Sequence, residues 1–384
     1  MAPIRILTAV PVCDGHDSAI TTINLELSRH GVEVIYLGYN RPAADVVRAA
    51  VQEDVAAVGI SSYNGGHVEF FGQVIDMLRR AGEGHIGVFG GGGGTISGDD
   101  AVVMRRKGVE RIFFPGEAPS EVVGFVKGRY SKQSTYSGGR GEVALARLLS
   151  AVERKRPSPP PSPVRMSSPK SGVPGEGRKA GRRKTGPRVI GITGPGGAGK
   201  TTLIDELIFR LLRRSRRGRF AIISHDPTIV GRGAILGDRA AMIYAQDDRV
   251  FMRSLATRGK AGGVAAATRA CLAVLRNWSP AFDLIFVETV GIGQEALPFV
   301  RHAVDCRVLV MSPDYGARLQ LQKIAMLDAA DVVVVNKSDL IAAPAAAAEI
   351  GQRLEANGRG QRLISATAKR HGDSGVDLVL EAIL

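Results

Sequence analysis

Cysteine is scarce in this 384-residue chain: Cys13, Cys271 and Cys306 lie far apart with no CxxC pair. That spacing excludes a disulfide framework and a thiolate metal site, and it suits a reducing compartment. Aromatic residues make up 5% of the chain, with one tryptophan. No apolar run approaches the roughly 18 residues that a membrane-crossing helix needs. The N-terminal MAPIRILTAV enters a strand pattern at once, unlike a signal peptide. A cytoplasmic protein is therefore expected, with no membrane contact.

The charge is of one sign, +14, but it is concentrated. Between Arg154 and Arg188 stand eleven Lys or Arg residues against one acid, Glu176, so this stretch supplies +10 of the +14. The same stretch is rich in Pro, Ser and Gly and almost free of large apolar residues. It cannot bury enough surface to offset its ordering entropy and reads as a disordered linker. No aromatic residue interleaves with its charges, so a nucleic-acid-binding arm is not expected. The 44% apolar and 23% charged fractions are those of a globular protein, and the length suits two domains.

Residues 1–130 alternate strand-like runs, IRILTAV, EVIYLG, AAVGISS, HIGVFGG and ERIFFPG, with stretches of helical apolar spacing. Runs apolar on both faces and separated by helices imply a parallel sheet covered on both sides. A flavodoxin-like, Rossmann-type α/β domain is expected. Residues 131–187 read as one short helix, GEVALARLLSAVE, followed by the linker. A second α/β domain, 188–384, carries buried strands RVIGI, FAIISH, DLIFVET, CRVLVMS and DVVVVNK. Such a linker is expected to leave the two domains without a single fixed geometry, so that the isolated second domain works alone.

After the strand VIGIT comes Gly194-Pro195-Gly196-Gly197-Ala198-Gly199-Lys200-Thr201, then the helix TTLIDELIFRLLRR, which opens with Thr201 and Thr202. This is GxxxxGK(S/T) between a buried strand and a helix N-terminus, the context that makes it a P-loop NTPase signature. Backbone N–H groups turn around a phosphate there, aided by the helix dipole. Lys200 would bridge β- and γ-phosphate oxygens, and the Thr201 hydroxyl would bind Mg2+. Asn336-Lys337-Ser338-Asp339 at the end of strand DVVVV is an NKxD pattern. A carboxylate at Asp339 accepts from guanine N1–H and its exocyclic amine, which adenine cannot satisfy, so GTP is expected over ATP. Ser365-Ala366 resembles the loop whose backbone N–H contacts guanine O6. Asp226, Asp238, Glu288 and the adjoining Thr289 lie where Mg2+ ligands are expected beside a P-loop, at or near strand ends. Each acid alone is equally a solvated loop acid, least so Glu288 after its wholly apolar strand. Gly291 has the freedom a γ-phosphate-sensing switch needs.

These elements resemble the G-protein chaperones of methylmalonyl-CoA mutase over nearly all of 188–384. The resemblance rests on GPGGAGKTT, ILGDR, RSLATRGKAGGVAAATR, ETVGIGQ and VVNKSDL. It implies Lys200 and Glu288 as catalytic, with Glu288 in place of the commoner Asp, and a partner-sensing loop at Ser312–Ala317. Relatives usually carry a basic residue where this chain has Ala241, which puts the hydrolysis rate in question.

In the first domain, Asp14-Gly15-His16 follows the first strand directly. A His there sits at the carboxyl edge of the sheet, and Asp14 can hold one ring nitrogen and leave the other free for a metal. A loop Asp capping a helix beside a surface His is the plain alternative. Gly59–His67 and the run Gly90–Gly94 end two further strands on the same edge, and five successive glycines suggest something large against the backbone. The set resembles the cobalamin-binding domain of mutases and methionine synthase, with its DxHxxG, SxL and GG signatures. That implies His16 as the lower axial ligand of cobalt, tuned by Asp14, with Ser61, Gly91 and Gly92 beside the nucleotide tail. Ala19 and Tyr63 depart from the signatures.

The order of domains resembles the N-terminal portion of fused isobutyryl-CoA mutase. It implies a carrier of adenosylcobalamin joined to a GTPase metallochaperone that uses Mg2+ and GTP to gate cofactor delivery in an acyl-CoA mutase. The chain holds no substrate-binding TIM barrel up to Leu384, so mutase activity is expected only with a separate barrel subunit. Further expected partners are an adenosyltransferase and a second copy in a homodimer. A corrinoid methyl carrier and a non-enzymatic cobalamin sensor are the alternatives. The G domain speaks against the first, and intact Lys200, Thr201 and Asp339 speak against the second.

Overall fold

The computed structural model describes residues 3–12, 14–131, 138–154, 186–228, 232–260, 262–291, 299, 303–315 and 325–384. The expectations for Cys13, for the linker core at 155–185 and for Gly316 and Ala317 fall outside these residues.

The first domain runs β1 (Arg5–Ala9), α1 (Ser18–Arg29), β2 (Glu33–Tyr36), α2 (Ala43–Glu53), β3 (Ala57–Ser61), α3 (His67–Arg80), β4 (Gly87–Gly91), α4 (Gly98–Lys107), β5 (Arg111–Phe113) and α5 (Pro119–Tyr130). Its strands are parallel in the order β5-β4-β3-β1-β2, the expected flavodoxin-like arrangement. Successive strand residues point to opposite faces. Leu7, Ile35 and Val58 pack with Val46 of α2 and Phe71 and Val74 of α3. Ile6, Val34 and Ala57 pack on the other side with Leu27 of α1 and Val122 and Val126 of α5.

The second domain follows with α6 (Gly141–Arg154), β6 (Arg188–Thr193), α7 (Lys200–Arg214), β7 (Phe220–Asp226), β8 (Ala234–Leu236), α8 (Asp238–Ala241), β9 (Val250–Ala256), α9 (Thr268–Arg276), β10 (Leu284–Glu288) and β11 (Cys306–Met311). The chain ends through α10 (Ala325–Ala329), β12 (Val332–Val335), α11 (Ala343–Asn357), β13 (Arg362–Ser365) and α12 (Ser374–Ile383). Seven strands form a parallel sheet in the order β13-β12-β11-β6-β10-β7-β9.

Two strands were not anticipated, and both join the domains. β8 lies in the first domain's sheet as its sixth strand, with Ala234, Ile235 and Leu236 parallel to Glu33, Val34 and Ile35. β9 is the edge of the second sheet and lies against α2. α6 buries Leu145, Ala146 and Leu149 among Val189, Ile223, Phe251 and Leu275, so it belongs to the core of the second domain. Its Glu142 also accepts from Gln52 of α2 at 3.0 Å.

Between the domains lies a network of four arginines and three glutamates, with buried side chains except for Arg258 at its exposed rim. Arg5 meets Glu33 at 2.9 Å and Glu53 at 2.8 Å. Arg239 meets Glu53 at 3.1 Å, and Arg253 meets Glu153 at 2.7 Å. Arg258 joins Glu33 at 2.8 Å and Glu153 at 3.1 Å. Removing one partner of such a buried set leaves an uncompensated charge, at a cost of about 3–5 kcal/mol. The expectation of two domains without a fixed geometry is therefore corrected. A shared sheet and buried ion pairs dock them, whatever the length of the covalent connection.

Candidate functional site

The chemistry-bearing residues gather at the carboxyl edges of the two sheets. In the second domain the P-loop joins β6 to α7. Lys200 Nζ donates to the carbonyls of Gly194 at 3.2 Å and Pro195 at 3.1 Å. Burial holds its amine below the ordinary lysine range, against the pull of Glu288 and Asp238. Thr201 Oγ1 donates to Glu288 Oε1 at 2.7 Å. Thr202 is exposed beside it at the start of α7.

Asp226, Asp238 and Glu288 converge beside this loop, where Asp238 raises the carboxyls of both others. Burial, then Asp238 nearby, pushes the Glu288 carboxyl up to about 8. Burial, then Asp238 and Glu288, raises Asp226 well above the carboxylate range. Burial also raises Asp238, although the Ser224 hydroxyl donates to it. Asp226 Oδ2 and Glu288 Oε2 are buried without a hydrogen-bond partner. Crowded, partly unsatisfied carboxylates fit a divalent cation. Among the described residues no group of three or more His, Cys, Asp or Glu could hold a metal by itself. That suits Mg2+, which takes one or two protein ligands and completes its shell with phosphates and water. Thr289 is not brought into this set: its hydroxyl pairs with the Thr193 hydroxyl at 3.0 Å and lies 3.0 Å from the Val290 carbonyl.

Sequence reasoning missed His225, because a single His before a strand-end Asp carries no motif. It is fully buried, its Nδ1 donating to Glu288 O (2.6 Å) and its Nε2 paired with Thr268 Oγ1 (2.7 Å), and so braces the strand that presents Glu288. Burial lowers its pKa to about 4. Gly291 serves close approach rather than freedom. A Cβ there would lie 2.6 Å from Gly196 Cα, so a side chain would drive the β10 loop off the P-loop.

Asn336 ties the base-recognition elements together. Its Nδ2 donates to Ala198 O at 2.9 Å, and its Oδ1 accepts from Ala368 N at 3.0 Å. Lys337 adopts a left-handed backbone, φ 57°. Asp339 pairs with Lys369 at 2.7 Å, and that bond holds its carboxyl below the usual range. The Ala366 N–H donates to Val335 O at 2.9 Å, completing the β12–β13 ladder, so in this arrangement it is not free for guanine O6. Ser365 is exposed beside it.

At the edge of the first sheet, Asp14 is 1% exposed while the His16 side chain is 66% exposed. Asp14 Oδ1 accepts from the His16 N–H at 3.1 Å and contacts His16 Nδ1 at 3.1 Å. Its Oδ2 accepts from the Tyr63 N–H at 2.6 Å. Burial would raise this carboxyl, but the Tyr63 and His16 donors outweigh it and hold it low. Asp17, not Asp14, stands at the N-cap of α1, so the helix-capping alternative for Asp14 is excluded. His16 Nε2 is the nitrogen left for a ligand, and the Tyr63 ring stacks on the imidazole, centroids 5.2 Å apart.

Behind this pair opens a cavity of about 200 Å³, lined by Ala19, Ile20, Ser61, Gly91, Gly92 and Phe113 among others. Its walls are mainly apolar, fit for a planar heteroaromatic base, with Ser61 as a polar point. The glycine run lines this cavity and also serves the packing of the sheet. A Cβ on Gly90 would meet Ile60 O at 2.1 Å and one on Gly92 would meet Ser62 O at 2.4 Å, so these two glycines let the end of β4 lie tightly against β3.

The fold and the two sites define a P-loop GTPase-type domain docked to a flavodoxin-like domain of the B12-binding kind. Residues 176–383 match the family model of the methylmalonyl Co-A mutase-associated GTPase MeaB, and residues 4–123 match that of the B12 binding domain. The chain belongs to the mutase-associated GTPase family. It is similar to the fused isobutyryl-CoA mutase of Cupriavidus metallidurans, 37% identical over 99% of this chain and 35% of that protein. That of Nocardia farcinica is 39% identical over 92% and 33%, and that of Geobacillus kaustophilus 37% over 87% and 31%. The chain thus spans about a third of the length of these curated relatives. No helix among the described residues is long and apolar enough to cross a membrane.

Proposed function

We propose that this chain carries adenosylcobalamin on its first domain and uses GTP hydrolysis on its second to gate the cofactor's delivery to an acyl-CoA mutase. The observation that carries this reading is the pairing of two sites in one docked body: an outward-facing His16 at the mouth of an apolar slot, and a P-loop facing three buried carboxylates. Lys200 would neutralise the β- and γ-phosphates. Thr201, Glu288, Asp226 and Asp238 would hold Mg2+ directly or through water, and the cation would supply charge neutralisation at the phosphates. Asp339 would exchange Lys369 for the guanine edge, with Asn336 fixing the loop around it.

In the first domain, the chain's own contribution is to aim His16 Nε2 at a corrin cobalt and lodge the nucleotide tail beside Ser61, Gly91 and Gly92. The adenosyl form and the mutase role are favoured over a methyl carrier because a docked GTPase has no place in a simple methyl relay. The acyl-CoA barrel, an adenosyltransferase and a second copy of this chain are the proposed partners, in a cytoplasmic setting.

The test supplies a purified mutase barrel with free adenosylcobalamin and this chain. Isomerisation of isobutyryl-CoA or a related acyl-CoA should depend on the chain and respond to GTP but not ATP. Activity indifferent to the chain would refute the reading.

A further inference from the structure

The ILGDR segment does more than present an acid to the nucleotide site. Asp238, whose carboxylate receives the Ser224 hydroxyl, is followed immediately by Arg239, which has no solvent exposure. The Arg239 side chain runs across the domain boundary. Its Nε donates to Glu53 Oε1 at 3.2 Å, and its Nη2 donates to Gln52 Oε1 at 3.1 Å and to Met252 O at 2.6 Å. Glu53 and Gln52 end α2 of the first domain and are themselves fully buried.

The backbone around Asp238 is gripped from the same side. The preceding strand, β8, is paired to β2, and Gly233 N donates to Ser28 O at 2.7 Å. On the other flank, Arg41 Nη2 donates to Ala240 O at 2.7 Å. The carboxylate position in the nucleotide site is therefore set by a segment whose neighbours on both sides are bonded to the first domain.

We propose that Glu53, Gln52 and Arg41 of the first domain are positioning residues for Asp238, acting through Arg239 and Ala240. The divalent-cation site of the second domain is then completed by the domain that carries the corrin signature. This rests on the nucleotide-site reading above. It also revises the expectation that the second domain works alone, since removing the first would strip β8 of its sheet and strand Arg239 in solvent. Moving Asp238 would require dragging a buried guanidinium off its carboxylate, which makes the segment respond to the first domain as a unit.

The test uses the full chain with GDP bound and Mn2+ as probe, free Mn2+ being read by electron paramagnetic resonance. Glu53→Gln keeps the side-chain shape but weakens the tie to Arg239. Arg41→Met removes the clamp on Ala240 from a half-buried position outside the ion network, so folding does not depend on it. Mn2+ affinity should fall on the order of tenfold in either folded variant, as for lost outer-shell partners. GDP affinity measured in EDTA should stay at the wild-type value, and the melting temperature of Arg41→Met should too. If Glu53→Gln fails to fold, Arg41→Met decides. Wild-type Mn2+ affinity in the folded variants, or parallel loss of GDP and Mn2+, would overturn the inference. A wild-type chain that binds no GDP would overturn the site reading itself and the inference with it.

Discussion

Asp14 Oδ1 stands 3.1 Å from His16 Nδ1, and this contact decides which imidazole nitrogen faces outward. A carboxylate on one ring nitrogen fixes the tautomer and raises the donor strength of the other. Reduced cobalamin bound to the chain should show coupling to an imidazole nitrogen in its paramagnetic spectrum. His16→Ala should abolish that coupling, and Asp14→Ala should keep it while weakening cobalamin affinity about 10- to 100-fold.

The nucleotide site predicts a sharp base preference. Lys200→Ala should remove GTP binding measured by calorimetry. Asp339→Asn should weaken GTP by about two orders of magnitude, because a guanine edge with two donors then faces an amide that supplies one acceptor. Unchanged GTP affinity in Asp339→Asn would show that guanine is read elsewhere.

Gly291→Ala places a methyl carbon against the P-loop, 2.6 Å from Gly196 Cα in the present arrangement. Nucleotide affinity should fall at least about tenfold, corresponding to roughly 1.4 kcal/mol. Cobalamin binding, on the other sheet, should be unaffected. Equal nucleotide affinity would mean that the β10 loop does not need to touch the P-loop.

Much of this was legible in the sequence, for identifiable reasons. GPGGAGKT lies between a buried strand and a helix, and DGH follows a strand directly, so each motif carried its own structural context. What escaped reading was tertiary. β9, VFMRSLA, places Arg253 in the middle of a buried strand, and partners far away in sequence make that tolerable: Ser150 and Glu153 of α6, and the Gln52 carbonyl of α2. β8 is three residues long, and its partner strand β2 belongs to the other domain. The GEVALARLLSAVE helix was visible from its apolar spacing, but the core it enters was not. Ala366 and Thr289 show what a motif omits: it names a residue and leaves open which neighbour already holds its polar group.

His225 gives a pH prediction with a defined sign. Its folded pKa of about 4 lies below the unfolded His value of 6.5. The neutral ring's contribution is therefore present above about pH 6.5 and is lost as pH falls toward 4. At about 1.4 kcal/mol per pH unit, up to about 3 kcal/mol is at stake across that window. Urea unfolding of wild type and His225→Asn between pH 4 and 7 should give a shallower pH dependence in the variant. Parallel curves would contradict the neutral buried ring.

The account's central claim is that the nucleotide on one domain governs the cofactor on the other. A ligand shifts an equilibrium only through a difference in affinity between states, and the coupling is reciprocal. The most direct measurement titrates the full chain with adenosylcobalamin, followed by absorbance, once with Mg2+ and a non-hydrolysable GTP analogue and once with Mg2+ and GDP. The account predicts cofactor affinities that differ by about fivefold or more between the two, with His16 ligation in both. Identical affinities would contradict it.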